Sequence, residues 1–321
     1  MEWQVWPGEW YLDAGALLIA LALDLALREL PSAVHPVVWM GKLVSLLERV
    51  GPSVESKAAA LAWGGFMALF VPALAGGLAW LAANGLRELG PIPYVIGVGA
   101  LLSTTFAVKG LAQAARSIQD LMNRGSMGEA RHGLRSLVSR DANSLSQPLA
   151  AAAAIESVAE NTTDSYIGPW LAFALLGLPG AFAFRAVNTL DSMIGYRGRY
   201  EYLGKVSARL DDAMNLLPAR ISAALMLAAG AMCRLPAGQG WRWAWTGRRL
   251  TASPNAGWTI GAMSGLLGVT LEKSGHYRIG DGLREPSPGH IGVSVRVAYA
   301  VAAVGIPVAL GILALRGLAT G

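Results

Sequence analysis

Charge is what this sequence has least of. Only 15% of its 321 residues are Asp, Glu, Lys or Arg, whereas 54% are hydrophobic; soluble domains carry roughly 25% charge. Such a chain cannot cover a water-exposed surface and reads as a membrane protein. Cysteine is nearly absent: Cys233 stands alone, which excludes an intrachain disulfide and a cysteine-based zinc site. The four histidines, His35, His132, His276 and His290, form no HExxH, so histidine metal chemistry has no local signature. GxxxxGK[ST] is missing, and the glycines of GVGALL (97–102) do not complete GxGxxG. The N-terminus, MEWQVWPGEWYLDAG, has no basic residue and no A-x-A follows the first apolar run, which argues against a cleaved signal peptide. The net charge of +5 is spread over loops without a basic and aromatic module, which favours positive-inside orientation over nucleic-acid binding.

Long apolar runs are abundant. A membrane helix needs about 20 mainly apolar residues, and 11–27, 57–83, 91–108, 216–232 and 297–315 are candidates. The expectation is an all-α, polytopic integral membrane protein with about five or more transmembrane helices, forming one membrane-embedded domain over 1–321 without internal repeats. Trp3, Trp6 and Trp10 suit an aromatic belt ahead of the first span. The connector 109–148 reads as a basic, solvated helical hairpin, with Ile118, Leu121, Met122, Leu134, Leu137 and Val138 at helical spacing. Its basic residues place it in the cytoplasm with the 28–56 loop, leaving the 84–90 loop and the N-terminus outside.

The polar residues gather in the middle. Within ESVAENTTDSYIGPW (156–170), Glu156, Glu160 and Asp164 recur at i, i+4 and i+8, on one face of a helix. Like charges so spaced call for a cation, either Mg²⁺ or arginines of the protein. The bland alternative is a solvated helix end, with Asn161 to Asp164 capping the next helix. RAVNTLDS then puts Arg185, Asn188 and Asp191 on one side of a helix, and RLDDAMNLLPAR supplies Arg209, Asp211, Asp212, Asn215 and Arg220. One such cluster is more simply an ion pair fixing helix packing; three in so short a stretch beside apolar spans mark a functional candidate. GLPG (177–180) interrupts the apolar run between the first two clusters. A single span would send them to opposite faces, whereas a re-entrant hairpin breaking at GLPG returns both to one face. Their chemical complementarity favours the hairpin. SPNAGW (253–258) precedes Gly257, Gly261 and Gly265, a ladder that lets helices approach closely.

These stretches, in this order, resemble the adenosylcobinamide-phosphate synthase family of cobalamin biosynthesis, CobD/CbiB. The matching pieces are Asp24 with HPVVWMGKLV, then ESVAENTTDSYIGPW, then the segment from PGAFAFRAVNTLDSMIGYRGRY to LDDAMNLLPARISA, then SPNAGW and LEKSGHY. Ser165 and Tyr166 depart from the small residues usual there, and the N-terminal tail is longer. The resemblance implies a multi-pass enzyme of the cytoplasmic (inner) membrane with its site facing the cytoplasm. It would join the free carboxylate of adenosylcobyric acid to (R)-1-amino-2-propanol or its O-phosphate, with ATP as cosubstrate and Mg²⁺. On that reading Glu156, Glu160 and Asp164 hold the metal and, with Arg185 and Asp191, carry the chemistry. His35, Asn161, Thr162, Asn188, Arg209, Asp211, Asp212 and Asn255 bind substrate. The implied partners are the corrinoid, the amine, membrane lipid and other membrane cobalamin-assembly enzymes, with self-association left open and no nucleic acid. A transporter of a polar or corrinoid substrate and a structural anchor for other cobalamin enzymes are the rival readings; no inverted repeat favours the first.

Overall fold

The computed structural model describes residues 9–27, 31–52, 56–138, 142–196 and 198–320. Trp3 and Trp6 of the expected belt, and Arg140 and Asp141 of the connector, lie outside the described residues. The helices in chain order are α1 (Trp10–Ala26), α2 (Pro36–Val50), α3 (Lys57–Glu88), α4 (Pro91–Ser103), α5 (Val108–Asn123), α6 (Met127–Leu134) and α7 (Gln147–Thr162). A π turn, Thr163–Ile167, leads into α8 (Gly168–Ile194), followed by α9 (Lys205–Met214), α10 (Leu216–Met232), α11 (Ala237–Gly247) and α12 (Ala256–Leu267). A two-stranded antiparallel hairpin, β1 (Leu271–Lys273) and β2 (Tyr277–Ile279), precedes the closing α13 (Pro288–Thr320). Among the described residues four helical runs are long and apolar enough to cross a membrane: Lys57–Glu88, Pro91–Asn123, Gln147–Ile194 and Pro288–Ala319. A fifth exists if α9 and α10, bent by 47° to each other, count as one span. Helix α1 has 17 residues, about 25 Å, and falls short of a hydrocarbon core of roughly 30 Å.

The chain divides into two compact units, each made of separate stretches: 1–107, 168–214 and 306–321 in the first, 108–167 and 215–305 in the second. In the first unit α3 ends and α4 begins within two residues. Gly90, at φ 109°, sends its N–H to the Arg87 carbonyl, and Pro91 opens the next helix with its φ already helical. The pair reverses the chain.

Helix α8 is continuous only in outline. Gly177 adopts φ 66° and ψ −161°, a region essentially reserved for glycine, and the chain folds back there. A straight helix would separate Gly168 from Phe184 by about 24 Å, yet a methyl group on Gly168 would collide with the Phe184 ring, and one on Gly180 with the Ala172 carbonyl. The arms 168–176 and 178–194 therefore run antiparallel, and the hairpin expected at GLPG is present. Its tip is tied down. Arg316 near the end of α13 donates to the Ala174 carbonyl at 3.0 Å, a group that the break leaves without a helical partner, and also pairs with Asp13 of α1. Asp13 in turn accepts the Tyr94 hydroxyl at 2.6 Å. Asp13 is thus no mere blemish in the first apolar run.

In the second unit α7 is the core. All of Ala150 to Ala159 is buried, as expected of a helix with no polar face until its last turns, and α5, α6, α12 and β1 pack around it. Helices α5 and α6 form the expected helical hairpin, burying Ile118, Met122 and Leu134. The glycine ladder works as spacing suggests: Gly257, Gly261 and Gly265 lie against the backbone at Gly247, Trp243 and Gln239 in four-residue steps, leaving no room for a methyl group. LEKSGHY forms the β hairpin, which Thr270 anchors by donating to the Gly280 carbonyl at 2.6 Å.

Candidate functional site

The expected site residues sort by unit. The first holds His35, Arg185, Asn188, Asp191, Arg209, Asp211 and Asp212; the second holds Glu156, Glu160, Asn161, Thr162, Asp164 and Asn255.

In the first unit the second arm of the hairpin carries Arg185, Asn188 and Asp191, and α9 carries the other acids. Two glycines leave room where they meet. The Asp191 carboxylate lies over Gly195, so a side chain there would displace it, and Gly204, just before α9, sits against the Ile194 carbonyl, so a side chain there would push α9 off the end of α8. The result sets Asp191 in the electrostatic field of Asp212, while Arg209 approaches Asp212 at 3.8 Å. Arg185 is half-buried and donates to Asn188 Oδ1 at 3.3 Å, which orients its guanidinium along the same side of the helix. Asp191, Asp212 and Arg209 thus gather where α8 meets α9, while Arg185 and Asn188 pair with each other earlier along α8. His35 starts α2. Its Nδ1 accepts the Val37 N–H at 3.2 Å and caps the helix, with Pro36 in the first helical position.

In the second unit the carboxylates occupy unlike places. Glu156 is 5% exposed, Glu160 is exposed and Asp164 is half-buried. The three-carboxylate metal set is a correction: among the described residues no group of three or more His, Cys, Asp or Glu is placed to hold a metal ion. The reason is rise, since eight residues advance a helix by about 12 Å, too far for one ion to reach both ends. Alignment on one face is not convergence on one point. A hard cation arriving with phosphates needs only one or two carboxylates, and the donor chemistry of Glu160 and Asp164 fits that lesser demand.

Thr162 is fully buried, and its hydroxyl donates to the Val158 carbonyl at 2.9 Å within α7. Asn161 bonds to the Ser157 carbonyl at 3.0 Å and accepts from Ser165 at 3.0 Å, bracing the passage from α helix to π turn. Tyr166, the other departure from the family pattern, is buried and donates to the Ala298 carbonyl of α13 at 2.9 Å. Asn255 accepts from Arg220 at 3.1 Å, and Arg220 also lies over the Trp258 ring at 5.4 Å. SPNAGW thus positions Arg220, the arginine that closes the third polar cluster. The π turn was invisible in the sequence, although such turns recur at functional sites.

A family model described as CobD/Cbib protein matches residues 17–304. The chain belongs to this family. The curated relatives of CobD/CbiB name include a Cobalamin biosynthesis protein CobD of Dehalococcoides mccartyi, 40% identical over 92% of this chain and 96% of that protein. A Probable cobalamin biosynthesis protein CobD of Methanothermobacter thermautotrophicus is 38% identical over 84% of this chain and 87% of its own length. Cobalamin biosynthesis protein CbiB of Salmonella typhimurium is 34% identical over 88% and 92% respectively. No solved structure matches the chain. The matched CobD/Cbib segment includes every site residue named above.

Proposed function

We propose that the chain is an ATP-dependent amide ligase of cobalamin biosynthesis, an adenosylcobinamide-phosphate synthase working at the cytoplasmic face of the inner membrane. The observation that carries this reading is membership of the CobD/Cbib family over 17–304, with relatives named as cobalamin biosynthesis proteins. The substrates are adenosylcobyric acid and (R)-1-amino-2-propanol or its O-phosphate. A carboxylate does not condense with an amine at neutral pH. Its oxygen must first take a phosphoryl group from ATP, with ADP leaving, or an adenylyl group, with pyrophosphate leaving; the amine nitrogen then attacks the activated carbonyl, phosphate or AMP leaves, and the ammonium proton passes to a base.

The chain offers a group for each demand. Asp191, facing Asp212, is the carboxylate suited to accept the proton. Arg185, held by Asn188, and Arg209 supply fixed positive charge for a phosphate or a developing oxyanion. Glu160 and Asp164 would hold Mg²⁺, which when bound neutralises charge on the nucleotide phosphates.

The test is product formation by the purified chain in lipid nanodiscs, followed by mass spectrometry with both amines. The wild type should make amide only with ATP. Glu160→Gln and Asp164→Asn should each lower the rate by about a hundredfold with unchanged melting, and raised Mg²⁺ should recover part of it. Full activity in both variants refutes their assignment, and no ATP-dependent amide from the wild type refutes the ligase.

A further inference from the structure

Helix α2 carries a polar stripe outside the residues assigned so far. Lys42, Ser45 and Arg49 recur at i, i+3 and i+7, which aligns them on one face. With Gly41 and Met193 of α8 they line an open pocket of about 620 Å³. A methyl group on Gly41 would stand 3.6 Å from the Met193 sulfur, so the pocket lies beside the crossing of α2 and α8, two residues along from Asp191.

The charge balance of this pocket is one-sided. Among the described residues no carboxylate lines it. The adjacent acid, Glu48, accepts the Tyr200 hydroxyl at 2.6 Å and faces Arg199 at 3.7 Å, so its charge is already answered. That hydrogen bond raises the Tyr200 pKa, which keeps the phenol protonated and donating. Among the described residues neither Lys42 nor Arg49 has an ion-pair partner. Two unanswered cations with a hydroxyl between them favour a ligand that offers an oxygen to each. A phosphate group has three or more terminal oxygens; a carboxylate has two. Arginine and lysine together supply a fork and a point charge, the usual pairing on phosphate.

We propose that this pocket binds the phosphate of a soluble phosphate-bearing substrate. Resting on the ligase reading, the candidates are the nucleotide and the phosphorylated amine, which share this chemistry.

Binding is measured without turnover, by equilibrium dialysis of labelled non-hydrolysable ATP analogue and labelled aminopropanol O-phosphate against the full chain in phosphatidylcholine nanodiscs. Lys42→Gln and Arg49→Gln should each weaken one of the two probes by about tenfold, and added KCl should weaken it in the wild type. The probe affected identifies the source. Lys57→Gln removes the same charge at the start of α3 and should leave both affinities unchanged. Equal melting temperatures verify the fold, and if one variant fails to fold the other carries the test. Unchanged binding of both probes in Lys42→Gln and Arg49→Gln overturns the proposal. So does a second result: that the two cations matter only for retaining phosphatidylglycerol in mixed discs, which would make the pocket a lipid headgroup site. A chain that binds a probe here yet forms no amide would keep this inference and refute the ligase; an active ligase with unaltered probe binding in both variants would do the reverse.

Discussion

Arg316 shows how one side chain can hold a membrane fold. Its guanidinium is 13% exposed and its partner, Asp13, only 3%. Removing one member of such a pair strands a charge away from water, which costs about 3–5 kcal/mol, whereas removing both leaves no charge behind. Arg316→Ala should therefore lower the unfolding midpoint in detergent markedly. Arg316→Met combined with Asp13→Leu should recover much of the loss but not all, because the Ala174 carbonyl still loses its donor. Equal destabilisation by the single and double variants would show that the pair adds nothing beyond packing. The same contrast separates this arginine from Arg185, whose replacement is expected to act on catalysis first.

At the level of elements the break at Gly177 decides where α8 can turn. Any side chain there meets a backbone conformation that only glycine occupies readily, and enforcing it costs of order 1–3 kcal/mol. Gly177→Ala should reduce folded yield and thermal stability by that order. A neutral outcome would mean that the break relocates within GLPG without loss. The π turn has the opposite character. It inserts no special residue, and its cost is offset by side chains that bridge it, Ser165 to Asn161 and Tyr166 to Ala298. A reader of the sequence sees two unusual residues after Thr-Thr-Asp; the structure makes them the braces of the turn.

On the scale of the whole molecule the hairpin makes a claim about membrane sidedness. Leu89 lies in the short link between α3 and α4, five residues before Tyr94, the partner of Asp13. Ser192 lies near the far end of the hairpin's second arm, about 20 Å along the helix from the break. Both are exposed, as is Cys233. In a Cys233→Ser background, Leu89→Cys should react with an impermeant maleimide from outside the cell, and Ser192→Cys only after the cytoplasmic face is opened. Reaction of both from one side would contradict the orientation drawn from the basic loops.

What the sequence determined by itself was whatever depends on local order along the chain. Low charge and long apolar runs set the membrane class, helical spacing set α5 and α6, GLPG set the turning point of α8, and small residues every fourth position set the close pairing of α11 with α12. Each is a property of neighbours a few residues apart, where periodicity and backbone preference act directly. The tertiary structure decided the rest. Asp13, Tyr94 and Arg316 are too distant in sequence for any pattern to join them, and only folding makes them one buried cluster. Glu156, Glu160 and Asp164 share a face in sequence, yet burial separates their environments and helical rise separates their positions, so the three cannot meet at one ion. Periodicity reports direction around a helix axis; distance along it, and what the rest of the chain packs against each position, are settled only when the chain is folded.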